Sequence, residues 1–384
     1  MKPEIDLRAA LAAYLKVNGR LKQEEIGAQL HLGGQSQVSK LITKAKSEGY
    51  LREVFVWPPG ISDRDRRLIE QTCYPRHDDL ESALFSRSQL LSDRRDDGGA
   101  RFQRLHVIPV PRDTDQETDE VSQDFGIGAA EVVADYVEKA RLCAVAWGRS
   151  IESTVKLIRE HDRDSGKGKL FLPICGEPTN HPPNGISPSD AARILADRWP
   201  GSRNESLRGV QARIPRSIAV RDAQGIAREL VAFSNTYRKI FVDAGADGKP
   251  MIANVDMILT GIGNASTSSS DPWYLESADA EDRSVLALAA GNLGGAWVPR
   301  AEVSDADARR VHELNERWLG AQLSDFRRCA RRADVRHNRP GVVVLAVETT
   351  KAEIILDALD LMSVLIISYP LARELERKLL PASG

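Results

Sequence analysis

Cysteine is scarce in this chain. It occurs four times in 384 residues, as Cys73, Cys143, Cys175 and Cys329. These are widely spaced and no pair has zinc-ligand spacing, which argues against a disulfide framework and a zinc site. Cys73 and His77 lie close in sequence but lack further partners nearby. Cys143 and Cys175 fall in apolar, strand-like runs and read as buried thiols. No apolar run approaches the ~20 residues of a membrane helix. The opening Met1-Lys-Pro-Glu-Ile-Asp6 lacks the apolar stretch of a signal peptide, so the expected location is the bacterial cytoplasm, with no membrane partner. There is no P-loop, no G-x-S-x-G elbow and no clean G-x-G-x-x-G after a strand. No histidine falls at an expected strand end, which leaves histidine acid–base chemistry unsupported, and no cofactor is expected. Internal repeats and long low-complexity tracts are also absent.

What is present begins with charge. The net charge is −2, but residues 1–52 hold nine Lys/Arg and five Asp/Glu, or +4, which leaves −6 on the other 332 residues. A small basic head on an acidic body points to a polyanionic partner for the head. Within it, Ile5 to Val17 reads as an amphipathic helix with Leu7, Leu11, Tyr14 and Leu15 on one face. Gln23 to Leu30 is a second helix with Ile26 and Leu30 inward. After a turn at Gly33-Gly34, a third runs from about Ser36 to Glu48, its inner face made of Val38, Leu41, Ile42 and Ala45. Three short helices with a glycine turn before the last match a helix-turn-helix. The outer face of the third carries Gln35, Ser36, Gln37, Ser39, Lys40 and Lys44. Amides and hydroxyls can read base edges and lysines can hold phosphates, so double-stranded operator DNA is the expected partner.

Trp57-Pro-Pro-Gly60 marks a boundary. The expected division is a head over 1–56, linker and oligomerisation helices over 57–104, and an effector domain over 105–384. Ser62 to Leu91 reads as helical. Leu68, Ile69, Leu80, Leu84 and Leu90 on it offer an apolar face for pairing into a dimer or tetramer. Pro111 to Gln123 is charged and turn-rich.

Leu105–Val110 is a strand candidate. From Ile127 onward helices alternate with apolar strands. Strands are expected at Leu142–Trp147, Leu170–Cys175, Val210–Ile214, Val255–Thr260, Val342–Val347 and Val364–Ile367. Helices are expected at Ala129–Ala140, Asp190–Trp199, Ile226–Phe241, Arg310–Ala330, Lys351–Leu359 and Leu371–Leu380. This alternation implies a doubly wound parallel α/β sheet, whose ligands bind outside the carboxyl ends of the strands.

Three strand ends carry candidate chemistry. At the first, Gly148 allows a sharp turn and Ser150 can cap the following helix, whose N–H groups suit an anion. Arg149 there either grips an anion or projects to solvent, and Ser153 adds a hydroxyl. At the second, Gly261 and Gly263 permit close backbone approach, while Asp256 is either an orienting carboxylate or a strand-end cap. At the third, Lys351 begins a helix, where the dipole disfavours a cation unless an anion or carboxylate partners it.

Taken together these segments resemble the SorC family of bacterial transcriptional regulators. The resemblance spans nearly the whole chain. The family's VSR in the recognition helix stands here as Val38-Ser39-Lys40, and its GWGRT loop as Ala146-Trp147-Gly148-Arg149-Ser150. Its D-x-x-L-x-G-I-G strand stands as Asp256 to Gly263, and its lysine-bearing turn as Lys351-Ala352 ahead of Val364–Ile367. The resemblance implies a helix-turn-helix joined to a sugar-binding domain with the fold shared by ribose-5-phosphate isomerase, glucosamine-6-phosphate deaminase and CoA transferases. It also implies control by a sugar or sugar phosphate. The chain departs from the family at Glu348-Thr349-Thr350, where small glycines are usual and where a carboxylate repels phosphate. A second reading is an isomerase- or deaminase-like enzyme with an appended helical module. A carboxylate or histidine pair facing Gly148 would favour it.

Overall fold

The computed structural model describes residues 6–17, 19, 21–32, 35–47, 51, 77–94, 102–110, 119–162, 164–177, 185–219, 221, 225–245, 248–265, 278, 280–334 and 339–380. The expected turn at Gly33-Gly34, the break at 57–60, Leu68, Ile69 and Cys73 lie outside them.

The head has helices α1 (Leu7–Val17), α2 (Gln23–Gln29) and α3 (Gln35–Ser47). From α1 its core takes Tyr14 and Leu15 of the expected face and fills the rest with alanine. Ala9, Ala10, Ala12 and Ala13 are buried with Tyr14 and Leu15, while Leu7 is exposed and Leu11 only half-buried. Alanines let α1 lie close to α3, which turns its face away from the bulkier side chains. α2 ends in a Schellman closure: Leu32 N–H donates to Gly27 O at 2.9 Å and His31 N–H to Ala28 O at 3.2 Å. His31 takes a left-handed φ of 52° to make it.

The body is one sheet. Its strands are β1 (Arg104–Ile108), β2 (Leu142–Val145), β3 (Leu170–Pro173), β4 (Arg203–Asn204), β5 (Met257–Asn264), β6 (Ala289–Leu293), β7 (Ala296–Pro299), β8 (Gly341–Ala346) and β9 (Val364–Ser368). The order β1-β9-β8-β5-β2-β3-β4 is parallel throughout, and β6–β7 adds an antiparallel hairpin to the end of β5. Successive residues feed opposite cores. Ala144, Ile258, Val342, Val344 and Leu365 face one, and Cys143, Val145, Leu259, Val343 and Ile366 face the other. Burial on both faces is why these strands read as unbroken apolar runs.

Helices α4 (Asp78–Arg94), α5 (Asp119–Lys139), α6 (Arg149–Leu157) and α7 (Pro188–Arg198) come next in the chain. They are followed by α8 (Ile226–Ala232), α9 (Ala280–Leu286), α10 (Asp305–Glu316), α11 (Leu323–Arg331), α12 (Ala352–Ala358) and α13 (Tyr369–Leu379). Leu80, Leu84 and Leu91 of α4 enter the core beneath the sheet, so they are spent within the chain rather than left for a partner; Phe85 and Leu90 stay exposed. α5 starts at Asp119, inside the stretch expected to be turn-rich. Val210–Ile214 is not a strand: it makes only isolated bridges, Gln211 to Glu177 and Arg213 to Trp318. The single helix expected over Arg310–Ala330 is two, α10 and α11, divided where Leu319 N–H donates to Ala212 O and Ala321 N–H to Ile174 O. The helix expected over Ile226–Phe241 breaks after α8, where the Ser234 hydroxyl accepts from Tyr237 N–H.

One partly buried pair gives a pH-dependent stability. His106 on β1 lies 2.8 Å from the Tyr136 hydroxyl of α5. Burial, then Arg104 and Lys139, pushes its pKa down to about 4. The unfolded imidazole titrates near 6.5, so the unfolded chain binds the extra proton as pH falls from 6.5 towards 4. Stability present above that window is lost through it, by at most about 3 kcal/mol. Denaturant titrations between pH 7 and pH 4 should show this loss, and His106→Gln should flatten it.

Candidate functional site

On α3, Val38, Ile42 and Ala45 point inward, while Gln35, Ser36, Gln37, Ser39, Lys40 and Lys44 are all exposed. Ser36, Ser39, Lys40, Thr43, Lys44 and Ser47 line a shallow open groove along the helix. Lys44 has a partner already: its ammonium lies 2.6 Å from Asp6 Oδ2. That hydrogen bond holds the Asp6 carboxyl below the usual carboxylate range. Asp6 also accepts from the N–H groups of Arg8 and Ala9, so the pair ties α3 to the start of α1.

In the body, the carboxyl ends of β2, β5 and β8 lie side by side, because β5 pairs with both neighbours. After β2, Gly148 takes φ 123° and ψ 159°, a conformation essentially reserved for glycine, and α6 follows at once. Gly261 is half-buried between the two neighbouring strand ends. A methyl group there would meet only Leu345 O at 3.9 Å and Trp147 O at 4.0 Å. After β8, Glu348 precedes a short 3-10 turn, Thr349–Lys351, which leads into α12. Asn264 at the end of β5 donates to Thr350 O at 2.9 Å and holds that turn in place.

Three charges meet here. Glu348 Oε1 lies 3.6 Å from Arg149 Nη2, and Glu348 Oε2 lies 3.8 Å from Lys351 Nζ. Glu348 and Lys351 are each 5% exposed, whereas Arg149 reaches the surface. The lysine that the helix dipole disfavours thus has a carboxylate partner. Trp147, next to Gly148, is half-buried and stacks on Trp318 with ring centroids 5.9 Å apart.

Four expectations for this site change. Asp256 precedes β5, at the opposite end of the sheet, and its Oδ2 accepts from Arg141 and Leu142 N–H at 3.1 and 3.0 Å. It takes the place of a strand-end cap, away from the carboxyl ends of the strands. Gly263 belongs to the antiparallel ladder with Asn292; its carbonyl packs so closely on Gly291 that a methyl group there would sit 2.2 Å away. Ser153 lies against Gly126 of α5 rather than at the strand end. Ser150 is buried in the first turn of α6 but does not cap it; Gly148 occupies the cap position.

Glu348, Asn264 and Trp318 were not among the expected site residues. Glu348 was visible as a departure from small residues, while Asn264 and Trp318 carried no sequence signal. No group of three His, Cys, Asp or Glu side chains suited to a metal ion occurs among the described residues. A separate cavity of about 550 Å³ opens beside Trp318, lined by Tyr237, Phe241, Ile252, Gln322 and Arg328, and holds none of the expected effector residues.

No protein-family model matches the chain, and no curated protein sequence does. Among solved structures, it is similar to the full-length sorbitol operon regulator SorC of Klebsiella pneumoniae. The identity is 16% and the TM-score 0.52, over 96% of this chain and 98% of that one. A transcriptional regulator of Streptococcus pneumoniae matches with 16% identity and a TM-score of 0.51, over 78% of this chain and 98% of that one. From the three-helix head through the parallel α/β body, the chain has the fold of the full-length sorbitol operon regulator.

Proposed function

We propose that this chain is a DNA-binding transcriptional regulator of the SorC type, controlled by a sugar-class effector and not itself an enzyme. The observation that carries the reading is one fold joining two unlike faces. A helix-turn-helix exposes a polar, basic stripe on α3, and a parallel sheet gathers Gly148, Arg149, Gly261, Glu348 and Lys351 at its strand ends. Base edges are read by Gln35, Ser36, Gln37 and Ser39, and phosphates are held by Lys40, with Lys44 shared with Asp6. The enzyme reading has less support. Glu348 is held between two cations, while His77 pairs with Glu376, His106 with Tyr136, and His161 stacks on Trp199. The place of action is the cytoplasm; among the described residues no helix is long and apolar enough to cross a membrane. Fluorescence anisotropy with DNA fragments flanking its own gene tests the reading. Binding that is competed by the same fragment but not by random DNA, and that shifts with a sugar, supports it. Equal affinity for all fragments defeats it.

A regulator that reads a two-fold operator needs paired heads. Apolar side chains available for pairing are Phe85 and Leu90 on α4 and, more exposed, those around α8, which buries none of its residues: Leu230 is 63% exposed and Phe233, just after the helix, 81%. A patch of this kind marks an interaction surface. Light scattering should give a multiple of 42.3 kDa for the wild type. The Leu230→Glu, Phe233→Glu double variant should run as a smaller species. A wild-type mass of one chain at micromolar concentration would end the oligomer proposal.

A further inference from the structure

We infer that the effector is a neutral polyhydroxy compound, a sugar or polyol without phosphate, and that Glu348 sets this preference. The inference rests on the strand ends being the effector site.

Glu348 turns one carboxylate oxygen to Arg149 at 3.6 Å and the other to Lys351 at 3.8 Å. At 5% exposure it is held away from water, and swinging out would break its pairing with the buried lysine. Asn264 pins the turn that follows it. The two cations that would otherwise receive a phosphate are therefore already serving a fixed carboxylate, and the three groups sum to a single positive charge. A phosphate ester carries roughly 1.5 to 2 negative charges at neutral pH. Any approach to Lys351 brings it against Glu348, and like charges in a poorly hydrated site repel strongly.

A hydroxyl group meets no such conflict. It donates to the carboxylate and accepts from the guanidinium or ammonium, and two neighbouring hydroxyls can do both at once. Trp147, half-buried next to Gly148 and stacked on Trp318, adds an aromatic side chain beside the same strand end, as sugar sites commonly use.

Calorimetry on the full chain tests this with D-ribose, D-fructose, ribitol and D-glucitol, each beside its monophosphate, and with inorganic phosphate. The expected result is that one free sugar or polyol binds the wild type at least tenfold more tightly than its phosphate. Glu348→Gln should then raise the affinity for inorganic phosphate at least tenfold and weaken the free sugar. A phosphate ester that binds the wild type as tightly as its parent sugar overturns the inference. So does equal phosphate affinity in wild type and Glu348→Gln when no sugar in the panel binds. The wild-type comparison needs no variant, so it stands even if Glu348→Gln does not fold. A chain that follows this pattern yet binds no DNA overturns the regulator reading and leaves the charge inference in place.

Discussion

Lys40→Glu on α3 is expected to lower DNA affinity about a hundredfold at moderate salt, close to 2.7 kcal/mol. The exposed ammonium of Lys40 lies on the same open stripe as Ser36 and Ser39, and the proposed phosphate contact goes with it. The substitution also brings a carboxylate to a phosphate, so the penalty exceeds that of Lys40→Ala. The plot of log affinity against log salt should become shallower by about 1, since one counterion-releasing contact is gone. Weakening should be similar for specific and random DNA, whereas Gln37→Ala should mainly relax sequence choice. Lys44 is a poorer probe: Lys44→Ala also breaks the pair with Asp6 that joins α3 to α1, mixing head stability into the result. Anisotropy titrations from 50 to 200 mM salt (roughly the range over which phosphate contacts dominate) measure both quantities. Unchanged affinity for Lys40→Glu would remove α3 as the DNA face.

Gly295→Ala is expected to cost the body at least about 4 kcal/mol, or roughly 8–16 °C in melting temperature. Gly294 and Gly295 form the two-residue turn of the β6–β7 hairpin, with φ of 55° and 94°. Such hairpin turns need positive φ at both positions, which a side chain resists. The added methyl carbon would also lie 2.1 Å from the Trp318 ring. Trp318 is anchored where it lies. Trp147 stacks on it, the Arg213 guanidinium lies 5.2 Å from its ring, and its indole N–H donates to Ala321 O at 3.0 Å. Trp147 adjoins Gly148, so the damage should reach the strand ends and abolish effector binding together with stability. Differential scanning calorimetry gives the first quantity and calorimetric titration the second. A variant that melts with the wild type would show that the hairpin turn tolerates a side chain.

Much of this molecule was determined by the sequence on its own. The parallel sheet is covered on both faces, so Leu142–Val145, Val342–Ala346 and Val364–Ile367 must be apolar throughout, and such runs are legible without partners. The helix α3 was legible because Val38, Ile42 and Ala45 recur at helical spacing while the residues between them are polar. Gly148 was legible because a strand must turn at once into a helix. The tertiary structure alone decided the rest. The segment Ala289-Ala-Gly-Asn-Leu293 has little intrinsic strand character and becomes β6 only because β5 supplies a ladder for it. The alanine face of α1 depends on how near α3 can approach. Asp256 stands just before the strand that carries Gly261, yet strand direction puts it at the far end of the sheet, where it caps the N–H groups of Arg141 and Leu142. Arg149, Glu348 and Lys351 come from two different connections, and no local rule of spacing relates the arginine to the carboxylate. Their meeting follows from the strand order, which sets β2 and β8 on either side of β5 and so brings three charges onto one strand-end surface.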